Sequence, residues 1–293
     1  AVTVAAGATL TVQPGTVVKF ATSADGYTPG SLTVQGTLQV LGTASQPVIF
    51  TSLYDDAAAG DTDGDGGATA PRAGDWGFLQ LASASASSSL DYAEIRYAGG
   101  GGFPEAALNI DNCSPRVSHL TVRHSGGRGV QMMNAAAPEI SHLTVAGAAG
   151  TAVDVWPTSA GRLSDVIVAG VSGTANTTPA YGVSLWGATL IEGLQIRDVR
   201  GYAMAIAAGS WHQVTQLQID AATCLHGAAV ELGYGEVKTK FTAQADVVWV
   251  SNGFQIDAGA TLTLLPGTIF KGEMPTVLGT LTALGTAAQP IIF

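Results

Sequence analysis

Two short phrases of alternating apolar and polar residues recur along the middle of the chain. The first reads YAEIRY, HLTVRH, HLTVAG, DVIVAG, GLQIRD and QLQIDA, beginning at residues 92, 119, 142, 165, 193 and 216. The second reads ALNI, GVQM, AVDV, GVSL, AMAI and AVEL, beginning at residues 107, 129, 152, 182, 203 and 229. Such alternation is typical of half-buried β-strands. The pattern therefore predicts short strands that recur about every 23 residues.

A unit of this size cannot bury its apolar face by itself, so successive units must stack into a solenoid. Stacked coils lie about 4.8 Å apart, and equivalent residues then form columns. One predicted inward column contains Leu108, Val130, Val153, Val183, Met204 and Val230. A second contains Ile110, Met132, Val155, Leu185, Ile206 and Leu232. The sequence thus predicts an all-β solenoid whose core is built from these columns.

The end of the chain repeats its beginning. The phrase AAGATLTVQPGTVVKF at 5–20 matches DAGATLTLLPGTIFKG at 257–272, and GTASQPVIF at 42–50 matches GTAAQPIIF at 285–293. We interpret residues 1–253 as one β-helix unit and residues 254–293 as the start of a second, homologous unit that continues the same solenoid. We expect the chain to be a piece of a longer array, with neighbouring repeats as its partners.

The composition agrees with a β solenoid and excludes one class of partner. Charged residues make up 12% of the chain and 38 residues are Gly, which favours tight turns and small packed side chains. The net charge is −10, and the 12 Lys and Arg residues are scattered singly. A surface without a basic stripe cannot neutralise a phosphate backbone, so nucleic acid is not expected as a partner. No apolar run reaches the length of about 18 residues that membrane insertion requires.

Three further phrases carry a resemblance to a known family. GTLQVLGTASQPVIFTS, followed by an Asp-rich loop and then by GDWGFLQL and LDYAEIRYAG, resembles a repeat of large secreted or surface-attached bacterial proteins. The whole chain resembles the right-handed parallel β-helix of the pectin-lyase-like superfamily. The resemblance implies this fold but no single function, because the superfamily includes polysaccharide lyases, glycoside hydrolases, adhesins and phage tailspikes.

The Asp-rich loop at 53–75 contains a candidate metal site. Asp61, Asp63 and Asp65 with Gly66 match the DxDxDG start of calcium-binding loops, in which alternate carboxylates converge on one cation. Carboxylates this close repel one another unless a cation balances them. The sequence therefore predicts Ca²⁺ as a cofactor that keeps the loop ordered, which is the use of calcium in extracellular modules.

The loop departs from an EF-hand, which requires Glu at its twelfth position, where this chain has Arg72. The remaining ligand oxygens would have to come from Asp55, Asp56, Asp75 or backbone carbonyls. The alternative is a solvated acidic loop that binds no ion.

One face of the predicted solenoid is a candidate site for carbohydrate. The column between the two core columns is predicted to point outward and contains Asn109, Gln131, Asp154, Ser184, Ala205 and Glu231. Trp156 and Trp186 follow Asp154 and Ser184 on adjacent coils and could form an aromatic platform for sugars. Glycoside hydrolysis requires two carboxylates about 5 to 9.5 Å apart, and Asp154 has no acidic neighbour on the adjoining coils. We also expect Arg and Lys to be absent from this face.

Histidine and cysteine give weaker indications. His119 and His142 occupy the same position on successive coils, and Asp165 follows on the next coil. The three side chains could bridge a zinc ion, or the histidines could form a stacked ladder. We favour the stacked ladder. His124, His212 and His226 have no partner that the sequence reveals. Cys113 and Cys224 match no metal or disulfide pattern and are predicted to be buried free thiols.

We conclude from the sequence that the chain is a structural or adhesive segment of an extracellular or cell-surface bacterial repeat protein, stabilised by calcium, with surface glycans or other cells as further possible partners. The alternative is a carbohydrate-active enzyme, either a polysaccharide lyase or a glycoside hydrolase, or a carbohydrate-binding β-helix. The alternative would use Asp154 as its catalytic group and Trp156 and Trp186 as its ligand-binding residues.

Overall fold

The fold was determined as a computed structural model that describes residues 1–21, 29–82, 87–102, 105–173, 180–210, 213–238, 240–243, 245 and 247–293. These residues form 27 β-strands and no α-helix. No helix that could cross a membrane occurs among them.

The strands are short, as the spacing of the turn residues predicts. In chain order they are β1 (Val2–Val4), β2 (Thr9–Val12), β3 (Val17–Phe20), β4 (Leu32–Val34), β5 (Thr37–Leu41), β6 (Val48–Ser52), β7 (Leu79–Leu81), β8 (Ser89–Arg96), β9 (Ala106–Asp111), β10 (Arg116–Ser125), β11 (Arg128–Met133), β12 (Glu139–Ala148), β13 (Val153–Val155), β14 (Arg162–Val171), β15 (Tyr181–Leu185), β16 (Leu190–Val199), β17 (Tyr202–Ala207), β18 (Val214–Ile219), β19 (Ala229–Gly233), β20 (Glu236–Val237), β21 (Lys240–Ala243), β22 (Val248–Asn252), β23 (Gln255–Ile256), β24 (Thr261–Leu264), β25 (Ile269–Glu273), β26 (Thr276–Val277) and β27 (Thr280–Ala283).

The strands stack into a parallel β-helix. Sheet A has 11 strands in the order β1-β4-β7-β9-β11-β13-β15-β17-β19-β22-β25, so each coil contributes one strand. Sheet B has the order β18-β16-β14-β12-β10-β8-β5-β2, with β3 and β6 joined to it beside β8. In the last coils two three-stranded sheets, β20-β23-β26 and β21-β24-β27, take its place. The predicted fold class, an all-β parallel solenoid, is confirmed.

The two predicted inward columns form the core of sheet A. Leu108 pairs with Val130, which pairs with Val153, and the register continues to Val230. Members of both columns are 0–1% exposed. The residue before the first column, such as Ala107 or Ala152, also lies in the core. Two consecutive core residues in a strand break the simple alternation of inward and outward side chains.

Each long strand of sheet B bends at one residue. This residue has a positive φ, between 44° and 73°, and is the first residue of each recurring phrase: Tyr92, His119, His142, Asp165, Gly193 and Gln216. Positive φ costs energy for most residues but is less unfavourable for Asn, Asp and His, and it is unrestricted for Gly. The bend places these six residues in one column along the solenoid, which we call the bend column.

The repeated phrases do not occupy equivalent faces. Val17–Phe20 pairs with Val48–Ser52 in sheet B, whereas the matching segment Ile269–Glu273 pairs with Val248–Asn252 in sheet A. Likewise Leu32–Val34 belongs to sheet A, and its counterpart β26 belongs to a three-stranded sheet. The second copy of the sequence is therefore shifted by one face around the solenoid.

Both cysteines are buried and free, as predicted. Burial raises the pKa of the Cys113 thiol to about 11 and also raises the pKa of Cys224. Thiols with a raised pKa are mostly protonated and are poor nucleophiles. Cys113 and Cys224 therefore serve as small apolar residues of the core.

Candidate functional site

The Asp-rich loop begins at a buried ion pair. Asp55 is 2% exposed, and its Oδ2 accepts hydrogen bonds from Thr51 Oγ1 at 2.6 Å and from Arg96 Nη1 at 3.3 Å. Arg96 also contacts Glu94 Oε2 at 2.6 Å, and Arg123 Nε contacts Glu94 Oε1 at 2.5 Å. Asp55 therefore joins the start of the loop to strand β8 through protein donors.

The end of the loop is fixed by the GDW phrase. Asp75 Oδ2 accepts hydrogen bonds from Ser52 Oγ at 2.7 Å and from the backbone N–H of Arg72 at 2.8 Å. The next residue, Trp76, is fully buried and stacks on Phe20 with ring centroids 4.2 Å apart. Trp76 thus inserts into the core and holds the end of the loop against the first coils.

The tip of the loop is folded around its own carboxylates. Asp61 accepts hydrogen bonds from the backbone N–H groups of Gly64 at 2.7 Å and of Gly66 at 2.9 Å. The bond from Gly66, followed by that from Gly64, lowers the pKa of Asp61. The carboxylate of Asp65 accepts three further backbone hydrogen bonds, from residues 67–69. These bonds favour the ionised form of each group.

Three carboxylates converge beside the tip. Oxygen atoms of Asp56, Asp61 and Asp63 lie within 4.8 Å of one another. Burial raises the pKa of Asp56, and the charges of its acidic neighbours raise it further. Its Oδ1 atom is buried and has no hydrogen-bond partner among the described residues. Lys19 lies nearby, with its Nζ 2.8 Å from the carbonyl oxygen of Gly60.

The structure thus divides the six predicted metal-binding residues into two groups. Asp56, Asp61 and Asp63 form the convergent set, which fits a hard cation because it offers only oxygen and carries repelling charges. Asp55, Asp65 and Asp75 lie outside this convergent set and are bonded to protein donors. Asp61 and Asp63 also accept hydrogen bonds, from within the loop tip.

The outer column of sheet A is covered instead of exposed, although its register is as predicted. Asn109 and Gln131 are 0% exposed, Asp154 is 7% exposed and Ser184 is 4% exposed. Both amide atoms of Asn109 are buried without a hydrogen-bond partner in the described part of the chain. Because these side chains are buried, most of the polar groups of the column cannot contact a large ligand.

Asp154 lies at the centre of a hydrogen-bonded cluster. Its Oδ2 accepts hydrogen bonds from Arg128 Nε at 2.8 Å, Trp156 Nε1 at 3.2 Å and Gln131 Nε2 at 3.3 Å. The expectation that this face has no Arg or Lys is therefore wrong. The break in alternation before Val130 places Arg128 on the outer side, where simple alternation would have turned it inward. Its side chain then reaches Asp154 on the next coil.

Trp186 lies on the coil after Trp156, as predicted, with its backbone N–H bonded to the carbonyl of Val155. Its Nε1 donates a hydrogen bond to Ser184 Oγ at 2.7 Å. Its ring covers Gly233, where a Cβ atom would lie 2.2 Å from ring carbons. Both indoles are partly exposed. Trp186 therefore spans several coils and needs a glycine beneath it.

The second acid of this face, Glu231, is also held by protein donors. Tyr181 Oη donates to Oε2 at 2.8 Å, and Asn252 Nδ2 donates to Oε1 at 2.5 Å. Burial, and then the hydrogen bond to Glu231, raise the pKa of Tyr181 above that of a free tyrosine. The Tyr181 phenol therefore remains a hydrogen-bond donor over a wide pH range.

The histidines form stacks and not a convergent metal site. The rings of Tyr92 and His119 are parallel with centroids 4.0 Å apart, and those of His119 and His142 are 4.5 Å apart. His142 Nε2 lies 3.5 Å from Asp165 Oδ2. Sequence reasoning gave the remaining histidines no partner. Here His124 stacks on Tyr97 and His226 on Tyr202, and His212 lies outside the described residues.

A groove that sequence reasoning missed runs beside this stack. It has a volume of about 570 Å³ and lies along the outer side of the bend of sheet B. We call it the bend groove. Six of the side chains that line it are His119, Thr121, His142, Thr144, Gln195 and Gln218. The regular spacing of the recurring phrases was the signal for the bend column in the sequence. The groove could not be inferred from this spacing, because only the bend brings the column and the following strand into one concave surface.

Comparisons with known proteins do not assign a family. No protein-family model matches the chain, and no curated protein matches it. Among solved structures, the chain is similar to an alginate lyase from Paenibacillus sp. str. FPU-7, with 11% identity and a TM-score of 0.29 over 94% of this chain and 93% of that chain. At this identity and score the similarity indicates nothing about the activity of this chain. Membership of the pectin-lyase-like superfamily therefore stays a prediction.

Proposed function

We propose that the chain is a structural or adhesive segment of an extracellular repeat protein. The proposal rests on the hydrogen bonding of Asp154, whose Oδ2 accepts hydrogen bonds from Arg128, Gln131 and Trp156. Arg128 and Gln131 lie on the preceding coil, so these bonds connect one coil to the next. A carboxylate bonded in this way stabilises the stack and is poorly placed to exchange protons with a substrate.

The spacing of the two acids supports the same proposal. Asp154 is on β13 and Glu231 is on β19, with β15 and β17 between them. Three coil steps place their strands about 14 Å apart. Paired carboxylates of glycoside hydrolases are about 5 to 9.5 Å apart. Asp154 and Glu231 therefore do not form such a pair.

Calcium is the cofactor that we propose for the Asp-rich loop. Asp56, Asp61 and Asp63 would supply the first oxygens, and the buried Oδ1 atom of Asp56 lacks any other partner in the described residues. Binding would relieve the repulsion among the three carboxylates and hold the tip on the solenoid. Sites of this kind are used where calcium is abundant, so the proposal includes a location outside the cell or on its surface.

A carbohydrate-active or carbohydrate-binding β-helix is the second candidate. It is favoured by Trp156 and Trp186, two partly exposed indoles on adjacent coils. Aromatic rings pair an apolar face with a polar edge and suit the faces of pyranose rings. In this case Asp154 would orient the Trp156 indole through their 3.2 Å hydrogen bond.

The first proposal is tested by a double-mutant cycle at Arg128 and Asp154. Arg128→Met and Asp154→Asn each weaken the hydrogen bonding of a buried polar group, so each should lower the free energy of unfolding by about 1–3 kcal/mol. The double variant should show a coupling of about 1 kcal/mol or more. The matched control is the exposed pair of Arg116 and Glu139, 2.7 Å apart, for which we expect almost no coupling. Equal coupling in the two cycles would contradict the structural role of Asp154.

A further inference from the structure

We infer that the bend groove binds a linear, neutral glycan, and that it recognises this ligand through hydrogen bonds to hydroxyl groups. The groove is distinct from the Trp156 and Trp186 face, because it lies on sheet B and not on sheet A. The inference gives a ligand class to the adhesive role proposed above and rests on that role for its setting.

The shape of the groove favours a chain-like ligand. Apart from Pro47, its lining residues come from six strands that follow one another in sheet B, β8, β10, β12, β14, β16 and β18. Five steps of about 4.8 Å give it a length of roughly 24 Å along the solenoid axis. The strands run across this axis, and all of them except the terminal strand β18 are paired on both sides. An extended peptide lying along the groove would cross the strands and could not add to a strand edge.

The stacked rings determine how a ligand can be held. Tyr92, His119 and His142 lie parallel at 4.0 and 4.5 Å, so both faces of His119 and the inner faces of Tyr92 and His142 are covered. Sugars cannot stack on these covered faces, and along the column the ring edges line the groove. Recognition along the groove must therefore come mainly from polar edges and from the side chains of the groove floor.

The floor provides groups that both donate and accept hydrogen bonds. Thr121 and Thr144 are partly exposed, and Gln195 and Gln218 are exposed. Their side chains make no hydrogen bond to any other described residue. Hydroxyl and amide groups match sugar hydroxyls, which also donate and accept. Ile167 lies between Thr144 and Gln195 in this row, so the floor has two pairs of polar side chains separated by one apolar coil. Two such pairs can contact successive units of a ligand that repeats along its length.

The charges of the groove favour a neutral ligand over an acidic one. Among the described residues, Glu94, Arg123 and Asp165 are the Asp, Glu, Lys and Arg residues that line it. Arg123 Nε lies 2.5 Å from Glu94 Oε1, so these two opposite charges are paired. The carboxylate of Asp165 is then the remaining charge of these three on the groove wall. The whole chain also carries a net charge of −10. An acidic polysaccharide or a phosphate-bearing ligand would be repelled.

The test is a calorimetric titration of the protein with neutral hexasaccharides, namely those of β-linked glucose, mannose and xylose, and with an oligoguluronate of the same length. We expect at least one neutral hexasaccharide to bind and the oligoguluronate not to bind. The variant Gln195→Ala with Gln218→Ala should weaken binding about tenfold, because it removes two exposed polar contacts. Gln13→Ala, which removes an exposed amide that does not line the groove, should leave the affinity unchanged.

Three results would overturn the inference: no neutral hexasaccharide binds, the oligoguluronate binds more tightly, or the double variant binds as well as the wild-type protein. Both substituted glutamines are exposed, so the melting temperature of the variant should be that of the wild type. A second variant, Thr144→Val, tests the same floor by removing one hydroxyl. A negative titration would not change the coupling expected between Arg128 and Asp154. The glycan inference and the proposed structural role can therefore be contradicted independently.

Discussion

At the scale of single residues, the polar side chains of this solenoid are mainly connectors between coils. Asp154 and Glu231 each receive hydrogen bonds from residues on neighbouring coils, and Trp186 extends as far as Gly233. Burying a polar group costs free energy unless it is hydrogen-bonded, and these bonds offset that cost for Asp154 and Glu231. The same bonds make the stack specific, since a shift of register would leave these groups unpaired.

Tyr181 gives this connection a pH dependence. Its pKa is raised in the folded protein above the 10.0 of a free tyrosine, so the folded state holds the phenolic proton more tightly than the unfolded state does. The resulting stability is complete below about pH 10 and is lost as the pH rises through the raised value. The stability advantage of the wild type over Tyr181→Phe should therefore be constant up to about pH 10 and shrink as the pH rises above that value. Urea unfolding of both proteins at each pH measures it, and a constant difference would be evidence against the Tyr181–Glu231 bond.

Gly233 gives a steric test of the outer face. A Cβ atom there would lie 2.2 Å from ring carbons of Trp186, so Gly233→Ala should displace the indole and cost about 1–3 kcal/mol. Tryptophan fluorescence should shift to longer wavelength as the ring moves towards water. The control is Gly102→Ala, where no atom lies within 4 Å of the added Cβ. Unchanged fluorescence and stability in Gly233→Ala would show that Trp186 does not lie over this glycine.

The residue scale also shows why part of the site was not predictable. The positions of Asp154, Trp156 and Trp186 follow from the period of the strands. Arg128 could not be assigned to the same face, because its place depends on two consecutive residues entering the core, which alternation does not anticipate. Long side chains that reach the next coil add contacts between residues that are distant in sequence.

At the scale of elements, the strands and their columns follow from the sequence, but the face that each strand occupies does not. The phrases at 5–20 and 257–272 specify the same strands and turns. They lie on different sheets because a strand's face depends on the combined length of all preceding turns. Local sequence determines strand and turn, whereas the position around the solenoid is set by the coils below.

Calcium binding by the Asp-rich loop can be tested directly. Calcium should raise the melting temperature by mass action, and chelation should expose residues 55–74 to protease while the core stays folded. Asp63→Ala removes one of the three convergent carboxylates and should abolish both effects. Magnesium should substitute poorly, because it requires a strict octahedral shell.

The control for the loop is Glu139→Ala, which removes an exposed carboxylate on sheet B and the same unit of charge. This variant should keep the full response to calcium. Identical melting curves and digestion patterns with calcium and with chelator would contradict the site. The loop would then be an acidic spacer fixed only at its base by Asp55, Asp75 and Trp76.

At the scale of the whole molecule, the central question is whether this β-helix is a scaffold or an enzyme. The core columns run without interruption from Leu108 and Ile110 to Val230 and Leu232, and Asp154 and Glu231 on the outer face are bonded to protein donors. A depolymerising enzyme requires groups that are free to move protons at the bond being broken. The arrangement of Asp154 and Glu231 provides stability and not that freedom.

The most direct measurement is a depolymerisation assay on a panel of neutral and acidic polysaccharides, including alginate, with calcium present. New reducing ends and the absorbance of unsaturated products would be followed over many hours at high protein concentration. We expect the wild-type protein to release no more product than heat-denatured protein. Product release that disappears in folded Asp154→Asn would contradict the account and would assign this face to catalysis.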